Sequence, residues 1–104
     1  MSEEFRPRLE AVNLEDNLKR VDFLLGNAKN VTSHGMGIKL ALLMAQEMRE
    51  GEPLGTKSGP VIAEWSEIYS DAMVEQAVSG ARAFLLNPET LVETIGSKIF
   101  DEDV

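Results

Sequence analysis

The residues of this chain best suited to chemistry lie where helices should begin. Thr32-Ser33-His34-Gly35-Met36-Gly37-Ile38-Lys39 brings together two hydroxyls, the chain's one histidine, two glycines and a lysine. No acid occurs between Asp22 and Glu47, so this segment sits in a locally basic stretch of an otherwise acidic sequence. A helix start offers free N–H groups and the positive end of the helix dipole, and glycines let a ligand approach the backbone closely. That combination is the chemistry of a phosphate cradle, with Ser33, His34, Gly35, Gly37 and Lys39 as its candidate residues. A second acid-poor opening, Gly55-Thr56-Lys57-Ser58-Gly59-Pro60, adds Lys57 and Ser58. Together the two openings suit a phosphorylated, nucleotide-like small molecule. The plainer use of these residue types is to cap helices and form turns, and it is the commoner one.

The segment Gly51-Glu52-Pro53-Leu54-Gly55-Thr56-Lys57-Ser58 approaches a P-loop, but Thr56 stands where the second glycine belongs. It also follows a helical pattern where the motif needs a strand, which excludes an ATPase or kinase.

Glu64, Glu67, Asp71 and Glu75 follow one another at steps of three, four and four, placing four carboxylates on one face of a helix. Such a face could meet a basic protein partner by imitating a nucleic-acid backbone, although a solvated amphipathic helix looks the same. Four acids in single file do not converge on one ion, and there is one histidine and no cysteine, so no metal site is expected. The absence of a nucleophile–base pattern around His34 argues against an enzyme, and no cofactor is implied. Trp65 and Tyr69, four apart, read as packing bulk.

The elements that must position these residues read as helices throughout. The first is expected from an Asn13 N-cap to Leu25, with Leu14, Leu18, Val21 and Leu25 on one face and Gly26 as its stop. The second should start near Met36, after Thr32 or Ser33, and end before Gly51. The third is expected from Pro60 to Leu86, roughly 40 Å long, with a bend at Ser79-Gly80. The fourth follows an Asn87 cap and Pro88, with Leu91, Val92, Ile95 and Ile99 on one side. The fold class is therefore all-α: one domain over residues 1–104, a compact bundle of about four helices, an irregular arm at 1–12 and a frayed acidic tail at 101–104.

The second helix departs from ordinary bundle patterning. Leu40 to Ala45 are six consecutive apolar residues and so point nearly all round the axis. Either this helix is central to an unusual small fold, or a second copy of the chain covers part of it. Self-association is the expectation.

A chain of 104 residues, 43% hydrophobic and 27% charged, has material for a single core. Its net charge of −8 opposes direct binding to nucleic acid or to an anionic membrane. The longest apolar run falls far short of the roughly 20 residues that span a bilayer, and MSEEFRPRLEAV lacks a signal's apolar segment, so a cytoplasmic protein is expected. The leading functional expectation is a non-enzymatic interaction module that acts as a homo-oligomer on a protein partner. The alternatives are the phosphorylated-ligand binder and an acidic-faced inhibitor of a nucleic-acid-binding protein.

Overall fold

A computed structural model describes residues 14–27 and 31–87, and among these the chain is entirely helical, with no strand. Four helices follow in order: α1 (Leu14–Asn27), α2 (Ser33–Arg49), α3 (Ser58–Ile68) and α4 (Asp71–Leu86). The expected arm at 1–12, the Asn13 cap, the helix after Pro88 and the tail at 101–104 lie outside the described residues.

α1 places Glu15 and Asp16 in its first turn, where the helix dipole favours carboxylates, and buries Leu18 and Val21. It does not stop at Gly26 as the sequence predicts but continues through Asn27. Gly26 lacks the left-handed backbone of a helix-ending glycine. A single glycine inside a helix costs only about 1 kcal/mol relative to alanine, too little to end it. At the opposite end of the helix, Glu15 pairs with Arg49 of α2 at 2.7 Å.

α2 begins three residues before the expected Met36. The Thr32 hydroxyl accepts the Gly35 N–H at 3.1 Å, and its extended backbone (φ −111, ψ 154) is that of an N-cap. Gly35 and Gly37 are thus inside the helix. Gly37 faces α4 so closely that a Cβ there would meet the Ala77 carbonyl oxygen at 3.1 Å. At the other end Gly51, at φ 72, closes a Schellman turn: Gly51 N–H donates to the Met48 carbonyl and Glu52 N–H to that of Glu47.

The long third helix of the sequence reading is two helices. It breaks at Tyr69-Ser70, and α4 runs unbroken through the expected bend at Ser79-Gly80. Ser70 takes an extended backbone and its hydroxyl accepts the Met73 N–H at 3.3 Å, with Asp71 next in the first turn. Ser70 followed by Asp71 is an N-cap signal that the unbroken apolar periodicity on both sides conceals.

α2 is the centre of the core. Met36, Ile38, Leu40, Ala41, Leu42 and Ala45 are fully buried, packed with Leu18 and Val21 of α1 and with Ala77, Ala81 and Phe84 of α4. Val61, Ile62 and Trp65 of α3 cover the cluster as half-buried side chains. Most of the apolar surface of α2 is thus buried within a single chain, with Met44 and Met48 half-buried. The chain's own α1, α3 and α4 supply this cover without a second copy.

Candidate functional site

A groove of about 370 Å³ opens where the end of α1 and the start of α2 meet the end of α3. Trp65 lies near the end of α3 and Tyr69 caps that helix; each packs on the core and also lines the groove. Leu25 and Val31 complete the apolar lining, and Ile68 stands at 62% exposure beside the aromatics. The charged lining is Asp22, Lys39 and Glu64. Lys39 Nζ pairs with an Asp22 oxygen at 2.7 Å and lies 5.7 Å from the centre of the Trp65 ring. The groove thus already holds one cation between a carboxylate and an aromatic face. That leaves Glu64 as the lining charge with no opposite charge paired to it among the described residues.

A second polar constellation lies at the start of α3. Glu47 of α2 is fully buried, and its carboxylate accepts the N–H groups of Gly55 (2.9 Å), Lys57 (2.7 Å) and Ser58 (2.8 Å) and the Ser58 hydroxyl (3.1 Å). Gly55, at φ 101, gives the turn a left-handed step that a larger residue would strain. Burial raises the proton affinity of Glu47, but the hydrogen bonds from Gly55, Ser58 and Lys57 outweigh it and hold the group below the ordinary carboxylate value. Beside this constellation Lys57 Nζ lies 3.0 Å from Glu50 and 3.7 Å from Glu52. The hydrogen bond between Glu50 and Glu52 holds the first down and the second up, and Lys57 is raised by its bond to Glu50.

These contacts account for the residues that the sequence offered to an anion. The second opening does present converging N–H groups, and the carboxylate of Glu47 occupies them. Lys57 and Ser58 therefore serve an internal anion. In the first opening Ser33 donates to Gln76 at 3.2 Å, His34 tilts against Phe84 with ring centres 6.1 Å apart, and Lys39 pairs with Asp22. Gly35 and Gly37 are buried in α2, the latter serving helix packing.

The four acids of the predicted face are divided between two helices: Glu64 and Glu67 on α3, Asp71 and Glu75 on α4. All four are exposed, but the single rigid rod that would have carried them is not formed. Among the described residues no group of three or more histidine, cysteine, aspartate or glutamate side chains is arranged to hold a metal ion. No described helix is long and apolar enough to cross a membrane.

Glu47 and Asp22 are the polar residues that the sequence reading passed over. The available signal for Glu47 was its place as the first acid after a long acid-free apolar stretch. A charge at that point on the most buried helix needs a partner. No protein-family model, curated protein or solved structure matches this chain.

Proposed function

We propose that this protein is a non-enzymatic binding module whose aromatic groove receives a segment of a partner protein. The observation that carries this reading is Ile68, a large aliphatic side chain 62% exposed beside the half-buried rings of Trp65 and Tyr69. Aromatic anchors beside exposed aliphatic surface, rimmed by charge, form the usual centre of a protein-recognition patch. The groove, about 370 Å³ and lined from three helices, has room for a side chain or two of a larger partner. The phosphorylated-ligand alternative is less supported, because the helix start best shaped for an anion is filled by Glu47. The acidic-inhibitor alternative keeps its charge sign but loses its continuous rod.

A photo-crosslinking residue placed at Ile68 tests the proposal, with a second placed at exposed Ala83 on α4 as control. The expected result is one discrete heavier adduct from position 68, absent from position 83 and lost when Trp65→Ala is added. Adducts of equal yield from both positions, or none from position 68, would overturn it.

A further inference from the structure

The groove already shows which charge it prefers. An ammonium, that of Lys39, rests near the Trp65 ring and on the Asp22 carboxylate. α3, which supplies the ring, contains Glu64 and Glu67 and no basic residue. Lys39 and Asp22 cancel, so Glu64 sets the sign of the lining, and the chain as a whole carries −8. An anion entering here would meet Glu64 and the negative face of the indole ring. An arginine or lysine side chain would find a carboxylate, the Trp65 ring with Tyr69 beside it and an apolar wall for its stem.

Resting on the proposal that this groove docks a protein, we infer that the docked segment presents a basic side chain, an arginine above all, flanked by apolar residues. Lys39 acts as the chain's own competing cation. The guanidinium takes the place of Lys39 over Trp65 and pairs with Glu64. Arginine fits better than lysine because its planar head stacks and pairs at the same time. The role of Lys39 is then the reverse of the one its sequence context suggests: it opposes the ligand.

Trp65 is the only tryptophan, so its fluorescence reports on the groove directly. The full chain is titrated with two synthetic peptides of equal length, one of leucine and arginine and one of leucine and glutamate, and with inorganic phosphate. The arginine peptide should shift the emission and the other two should not. Glu64→Gln should weaken its binding by about two- to fivefold, the worth of one exposed ion pair, while Glu75→Gln on exposed α4 surface leaves it unchanged. Lys39→Met, which keeps an apolar stem over the ring, should tighten binding by about the same factor.

Equal losses from Glu64→Gln and Glu75→Gln would reveal diffuse attraction to an acidic protein and overturn the inference, as would weaker binding by Lys39→Met. If the glutamate peptide or phosphate moves the emission instead, the inference fails but a groove that docks a partner stands. If no peptide moves it and position 68 yields no crosslink, both fail.

Discussion

Glu47 accepts both the backbone N–H and the hydroxyl of Ser58 through a single carboxylate oxygen, at 2.8 and 3.1 Å. With the Lys57 and Gly55 N–H groups added, one buried side chain of α2 satisfies the open start of α3. The arrangement does from a distance what an N-cap residue does locally, and Lys57, which occupies the N-cap position, makes no side-chain cap of its own.

Glu47→Ala is expected to cost about 3 kcal/mol, because it strands several donors that its carboxylate now satisfies. Glu47→Gln should cost about 2 kcal/mol, since an amide NH2 must then face at least one of those N–H donors. Urea denaturation of the two variants checks both values, and the order Ala worse than Gln is part of the expectation.

Acid should unfold the protein through the same contact. Glu47, Glu50 and Glu15 are all held below the ordinary carboxylate value in the folded chain. Their contribution is complete above the ordinary carboxylate range and is withdrawn as the pH falls through their lowered folded-state values. Glu52 is raised and works in the opposite sense, favouring the folded chain slightly as it takes up its proton. Denaturation midpoints followed from pH 7 down to pH 3 should therefore fall at the acid end, and the fall should be shallower in Glu47→Gln.

Two helical glycines should respond oppositely to the same substitution. A Cβ at Gly80 meets nothing within 4 Å, so Gly80→Ala should stabilise by about 0.5–1 kcal/mol through the helix preference of alanine. At Gly37 the Cβ would press on the Ala77 carbonyl oxygen at 3.1 Å, and backbone held in a packed helix yields little. Gly37→Ala should destabilise by about 1 kcal/mol once overpacking is set against the same helix gain. Thermal melts of both variants give the two signs.

Ser70→Ala removes the hydroxyl that accepts the Met73 N–H and should cost about 1 kcal/mol. Circular dichroism during denaturant titration checks it, with an unchanged slope as evidence that the folded chain keeps its compactness.

The helical class and the burial of α2 were readable in the sequence because apolar residues at helical spacing report burial directly, but that spacing does not say whether the cover comes from the same chain or from a second copy. Leu18, Val21, Ile38, Leu40 to Leu43 and Ala45 all lie in the core as that spacing implies, with Met44 half-buried against it. What escaped were the events that periodicity does not encode. The break at Ser70 interrupts the backbone without interrupting the apolar pattern around it, and the extra turn before Met36 depends on one hydroxyl of Thr32. The anion site was half legible: Gly55 to Ser58 do present converging N–H groups, but the group that fills them comes from Glu47, whose pairing only the tertiary fold creates. The groove joins Asp22, Lys39 and Trp65 across three helices, and nothing in their sequence spacing brings them together.

The Tyr69–Ser70 break also divides how the molecule opens. α2 and α4 bury side chains completely, whereas α3 buries only Ser58 fully and leans on the core with half-exposed residues. Because no continuous backbone helix couples it to α4, α3 can detach as a unit by local unfolding, at a lower free energy than the rest. Its amide hydrogens should exchange with deuterated solvent sooner than those of α2 and α4. A ligand seated on Trp65 holds that segment down, so occupancy of the groove can be followed as slowed exchange along α3, with the amides of α4 serving as an internal reference in the same sample.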